Sequence, residues 1–137
     1  MSTKLQKDDL SVAVLSGGRS SRMNYEDKGL IEFNGLSVLS RIIEISNKYS
    51  NDVFIIANNN LKEYEKLHPY LYSDILDNYQ GPLSGIYTAL SKSKNKYVII
   101  LPSDGPFVKE DYFEKFINYK SDQHILVTKT GDRLQPV

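Results

Sequence analysis

The segment Leu15-Ser16-Gly17-Gly18-Arg19-Ser20-Ser21-Arg22-Met23, followed by Asp27-Lys28, combines the residue types best suited to chemistry in this chain. Paired glycines let the backbone approach a ligand and adopt positive φ. Successive N–H groups in such a turn form a nest for an anion. Arg19, Arg22 and Lys28 add positive charge that could follow a polyphosphate. Arg22 can grip phosphate oxygens in a bidentate fork, whereas Lys28 acts as a movable point charge. Two common phosphate loops are excluded: neither G-x-x-x-x-G-K-[ST] nor G-x-G-x-x-G occurs in the chain. Thiolate chemistry is excluded as well, because there is no cysteine. His68 and His124 stand alone, away from partners at ligand spacing, and no Ser, His and acid set suggests a hydrolase.

A loop of this kind needs a strand to end in it. Val12–Leu15 is a short apolar run, as are Val53–Ile56, Tyr97–Leu101 and Ile125–Val127. Such runs suit strands buried on both faces of a parallel sheet. Tyr70-Leu71-Tyr72 is a weaker candidate. Between them lie helical patterns: Leu39, Ile42 and Ile43, extended by Leu36; then Leu83, Ile86, Tyr87 and Leu90; then Tyr112, Phe113, Phe116 and Ile117. Their i, i+3, i+4 spacing predicts half-buried helices with these stripes toward the core. Glu110 and Asp111 suit the positive end of the last helix. Lys62, Glu63, Glu65 and Lys66 form a solvated helix face, and the ten tyrosines read as packing. Asn34-Gly35 predicts a tight hairpin turn. Strand and helix alternate throughout, which predicts a three-layer α/β, Rossmann-like, mostly parallel sheet of about five main strands. In such sheets ligands bind beyond the carboxyl ends of the strands, where the glycine loop lies.

The 137 residues are read as a single domain over 1–137, with residues 1–10 a flexible N-terminus. Equal numbers of basic and acidic side chains, 17 of each, argue against a broad basic surface for nucleic acid. Apolar runs of four or five residues are too short to span a membrane, and the polar start MSTKLQKDDL lacks a secretion signal. The expected location is the cytoplasm.

Taken together, Leu15-Ser16-Gly17-Gly18-x-Ser20-x-Arg22-Met23 and Asp27-Lys28 resemble the signature of the molybdenum cofactor guanylyltransferase (MobA-like) family of nucleotidyltransferases. That signature reads Leu-Ala-Gly-Gly-x-Ser-x-Arg-Met-Gly, then Asp-Lys; Ser16 replaces the alanine and Asn24 the last glycine. Gly81-Pro82-Leu83-Ser84-Gly85 resembles the family's Gly-Pro-Leu-Ala-Gly element, with Pro82 pre-set for a first helical position. Asp74, seven residues earlier, matches a family aspartate linked to guanine nucleotides. Pro102-Ser103-Asp104-Gly105-Pro106-Phe107 resembles Pro-Cys-Asp-x-Pro-Phe/Tyr, whose aspartate binds Mg²⁺ in the family. At the end of the second strand, where the family often has Asn, this chain has Ile56, with Asn58 two residues on.

The resemblance implies Mg²⁺-dependent transfer of a guanylyl group from GTP to molybdopterin, with release of pyrophosphate. It assigns nucleotide binding to Leu15, Ser16, Gly17, Gly18, Arg22, Lys28, Asp74, Gly81, Pro82, Leu83 and Asp104. Arg22, Lys28 and Asp104 carry the chemistry, and Asp104 holds the metal. Other molybdenum cofactor biosynthesis proteins are the implied protein partners. Related readings are a transferase with another acceptor, such as a cobinamide phosphate guanylyltransferase or a cytidylyltransferase, and a nucleotide-binding protein without catalysis. Residues 131–137 resemble the family's Arg-x-Gln-Pro-Leu segment, after which family members continue for tens of residues. The fold is therefore expected to be truncated at its C-terminus, without the acceptor-side region.

Overall fold

The computed structural model describes residues 5–16, 30–75, 82–103, 109–118, 125, 128–130 and 133–135. Three apolar runs form the expected strands: β1 at Leu10–Leu15, with β4 at Asp52–Ile56 and β6 at Tyr97–Pro102. Between the first two lie a hairpin, β2 (Glu32–Phe33) and β3 (Leu36–Ser37), and helix α1 (Val38–Ser46). Helix α2 (Leu61–Leu67) and strand β5 (Leu71–Tyr72) follow β4, and α3 (Pro82–Lys92) precedes β6. Helix α4 (Glu110–Asn118) and a second hairpin, β7 (Thr128–Thr130) with β8 (Arg133–Gln135), follow it.

The main sheet has the order β5-β4-β1-β6, with every pair parallel. The chain moves from β1 outward through β4 to β5, then returns to the other side of β1 as β6. The order therefore reverses between β1 and β6, and an open α/β sheet binds ligands at such a switch point.

Each strand divides its side chains between two layers, because alternate residues point to opposite faces. Val12, Val14, Val53, Ile55, Ile99 and Leu101 share one core with Leu39 and Ile42 of α1, Tyr64 of α2, and Phe113 and Ile117 of α4. Ala13, Phe54 and Ile56 meet Ala89 of α3 on the other face, with Leu15, Val98 and Ile100 packed alongside. This is the expected three-layer arrangement.

Local sequence sets the element ends. Ser37 caps α1, accepting from the Ser40 N–H at 3.0 Å. In the first hairpin, Asn34 and Gly35 both have positive φ, 53° and 85°, as a tight two-residue turn requires. At the amino ends of the strands, Ser11 Oγ donates to Asp52 Oδ2 at 2.6 Å and the Lys94 N–H donates to the same oxygen at 2.8 Å.

Three expectations need correction. Leu36 belongs to β3 and is exposed, so it does not extend the α1 stripe. Most of the stripe expected to bury α3 faces outward: Leu83, Tyr87 and Leu90 are 71%, 51% and 60% exposed, while Ile86 is half-buried. The sheet-facing side of α3 carries Ser84, Gly85, Thr88 and Ala89, all buried. Small residues win there because α3 lies close against β1: a Cβ on Gly85 would sit 3.2 Å from Leu15 Cδ1. Finally, Ile125 is exposed and outside any strand; Leu126 and Val127 lie outside the described residues. The strand that follows, β7, pairs antiparallel with β8.

Candidate functional site

The carboxyl ends of the four parallel strands finish at one level. The Ser103 N–H, just past β6, donates to the Leu15 carbonyl at 2.9 Å. The Ser16 N–H, just past β1, donates to the Ile56 carbonyl at 2.8 Å, and the Ala57 N–H donates to the Tyr72 carbonyl at 2.9 Å. The sequence motifs issue from this edge. Gly17 follows Ser16, Asp104 follows Ser103, and Asp74 lies two residues beyond Tyr72.

At the switch point, Ser16 Oγ is 2.9 Å from Ser103 Oγ and also hydrogen-bonds the hydroxyl of Tyr64. A serine hydroxyl has one proton, so Ser16 donates to one neighbour and accepts from the other. Tyr64 is fully buried on α2, which reaches under the strand ends to satisfy this cluster. The two serines join the end of β1 to the end of β6. Tyr64 is more than packing, which sequence reasoning missed. Its only signal is a lone aromatic in the middle of a helix whose other inner positions are charged.

On the other side of β1, Asn58 and Asp74 form a reciprocal pair. Asn58 Nδ2 donates to Asp74 Oδ2 at 2.9 Å, and the Asp74 N–H donates to Asn58 Oδ1 at 2.9 Å. The second Asp74 oxygen, Oδ1, is buried and has no hydrogen-bond partner among the described residues. The next N–H, of Ile75, donates to Thr88 Oγ1 at 2.9 Å, and Thr88 Oγ1 donates to the Ser84 carbonyl at 3.0 Å. Thus β5 is anchored to α3 beside the acid.

The structure brings Leu15, Ser16 and Asp74 to this edge. Pro82 is the first residue of α3, and Leu83 is exposed in its first turn. Gly17, Gly18, Arg19, Arg22, Lys28, Gly81 and Asp104 lie outside the described residues. Among the described residues, no three His, Asp or Glu side chains group as a metal site would. His68 is buried with Nε2 2.6 Å from the Val53 carbonyl, a structural role.

This arrangement defines a three-layer α/β domain whose strand order reverses at β1, the kind of position at which open α/β sheets bind ligands. Comparison with known proteins narrows the class: residues 12–137 match the MobA-like NTP transferase domain, and the chain belongs to that family. A protein of Clostridium perfringens named "Probable molybdenum cofactor guanylyltransferase" is 39% identical over 127 residues, covering 93% of this chain and 63% of that protein. The molybdenum cofactor guanylyltransferase of Vibrio cholerae is 36% identical over 134 residues, covering 97% of this chain and 66% of its own. A solved structure of the Aquifex aeolicus protein Aq1419 superposes with a TM-score of 0.64 at 30% identity, covering 85% of this chain and 61% of that one. The chain thus spans a little under two thirds of these relatives. Among the described residues, no helix is long and apolar enough to cross a membrane.

Proposed function

We propose that the chain binds GTP across the carboxyl edge of the sheet and takes part in guanylyl transfer to molybdopterin, releasing pyrophosphate. The observation that carries this reading is the convergence of three motif-bearing strand ends on one edge, centred on the β1–β6 switch point. The names of the relatives support the choice of reaction.

The strand order separates the two ends of the nucleotide. β5, which precedes Asp74 in the chain, and β6, which precedes Asp104, stand three strand spacings or roughly 14 Å apart across the sheet. The base lies on the β5 side, where Asp74 accepts from the guanine N1–H and 2-amino groups. Its buried Oδ1, without a partner among the described residues, is an acceptor that such a donor would satisfy. The phosphates lie over the backbone of Leu15–Gly18. The Gly81-Pro82-Leu83 turn closes the nucleotide from the α3 side.

In the reaction an acceptor phosphate oxygen forms a bond to the α-phosphorus as the bond to pyrophosphate breaks. Little covalent work falls to the protein, so positioning and charge stabilisation carry the catalysis. Arg22 and Lys28 neutralise the β- and γ-phosphates and the leaving group. Asp104 holds Mg²⁺. The donor chemistry would suit that ion: a hard carboxylate directly after β6 in the chain, with substrate phosphates and water able to supply further oxygens. When bound, the ion supplies further neutralisation of phosphate charge. Water-soluble substrates and the absence of cysteine suit a cytoplasmic setting.

Replacing Asp104 tests this reading. Asp104→Ala is expected to abolish divalent-dependent pyrophosphate release from GTP and molybdopterin while the melting temperature stays unchanged. Undiminished turnover would refute the assignment.

A further inference from the structure

The reciprocal bonds between Asn58 and Asp74 carry a consequence for nucleotide choice that rests on the reading of Asp74 as the base-recognising acid. We infer that Asn58 is a positioning residue for guanine selectivity, acting by fixing the Asp74 carboxylate rather than by touching the base.

The hydrogen-bond pattern leaves little freedom. A backbone N–H can only donate, so the side-chain atom of Asn58 facing the Asp74 N–H must be the carbonyl oxygen. That choice turns the amide nitrogen toward the carboxylate, where it donates to Oδ2. Both ends of the Asn58 amide are therefore spent on one residue. The carboxylate plane is set, Oδ2 keeps one lone pair, and Oδ1 has no partner among the described residues. Guanine presents two parallel donors, which a carboxylate meets only if its plane is held in register with them. Adenine offers no such pair.

The backbone around Asp74 is pinned from the other side too, by the Ile75 N–H on Thr88. Removing Asn58 would therefore free the side chain of Asp74 more than its backbone. Asn58 is exposed, so its truncation leaves no cavity in the core. This role differs from that of an asparagine at the end of the second strand, where this chain has Ile56.

The test measures dissociation constants for GTP and ATP by calorimetric titration, with Mg²⁺ present, for the parent chain, Asn58→Ala and Asp74→Asn. Melting temperatures are recorded for each. Asn58→Ala is expected to weaken GTP about tenfold with ATP unchanged, so the GTP preference falls by that factor at constant melting temperature. If Asp74→Asn erases the preference and Asn58→Ala does not, the Asn58 role is overturned and the Asp74 reading stands. If neither variant changes the preference, the Asp74 reading itself fails and the inference falls with it. Equal weakening of both nucleotides, with a lowered melting temperature, would show a structural role and overturn the proposal.

Discussion

Ser16, Ser103 and Tyr64 form a hydroxyl cluster at the carboxyl ends of β1 and β6. A buried phenol must keep its hydrogen bonds, and removing it leaves the neighbouring hydroxyl short of a partner. Tyr64→Phe is expected to cost about 1–2 kcal/mol in urea unfolding. Combined with Ser16→Ala the loss should fall short of the sum, because the two changes remove the same bond. This cluster was not legible in the sequence. Its members are 48 and 87 positions apart, and no local pattern announces that two serines and a tyrosine share protons. The Asn58–Asp74 pair was only half legible. Motif spacing singled out Asp74, while Asn58 stood out merely as a displaced asparagine. What joins them is the parallel register of β4 and β5, with Ile56 opposite Tyr72, which brings the two strand ends side by side.

At the level of elements, the strands buried on both faces were the easiest to read. β1 and β4 are continuous apolar runs because helices cover both sides of the sheet; β6 is one as well, with Ile99 and Leu101 buried on one face and Val98 and Ile100 half-buried on the other. Helix α3 was recognised as a helix but turned the wrong way. Periodicity identifies an apolar stripe; it does not say whether a stripe of small residues will outcompete it for the close approach to a strand. Gly85 is the decisive position. Alanine there would gain about 1 kcal/mol of helix propensity. Its Cβ would press on Leu15 at 3.2 Å, and the end of that side chain can shift, so the net change in stability should be near zero. Gly85→Val adds bulk that a shift of Leu15 cannot absorb. It is expected to lose about 1–3 kcal/mol in the same unfolding measurement. The exposed Leu83, Tyr87 and Leu90 are the counterpart of this packing: large side chains remain outside because small ones are needed inside.

Across the whole molecule, the packing of α1 and its following turn against α4 gives stability a dependence on alkaline pH. Lys48 is bonded to Glu110, and that hydrogen bond and charge raise its pKa above the ordinary value. Tyr49 lies parallel to Phe113, with ring centroids 4.9 Å apart, and bonds to Glu114 at 3.1 Å. Burial first, and then Glu114, raise the pKa of its phenol. Both groups hold their protons more tightly folded than unfolded. Their contribution is therefore complete below their ordinary values of about 10 and is lost as pH rises through the raised ones. The melting temperature should fall through this range, and less steeply in Glu110→Gln, where the Lys48 contribution is absent. Because Lys48 is exposed and its pair screened, Tyr49 should account for most of the fall.

The bonds at the carboxyl edge also form a single connected series. The Leu15 carbonyl that accepts from Ser103 and the Ser16 N–H that donates to Ile56 belong to one peptide group. The Ile56 carbonyl and the Ala57 N–H, which donates to Tyr72, belong to another. Two peptide groups thus act as relays in a line that crosses all four strands in one direction. Each bond in such a line polarises the next. Polarisation at one strand end therefore strengthens the neighbouring bonds along the line toward the strand end that leads to Asp74. The ends of β6 and β5, which lead in sequence to Asp104 and Asp74, are thus joined by one hydrogen-bonded line of backbone with no side chain in it.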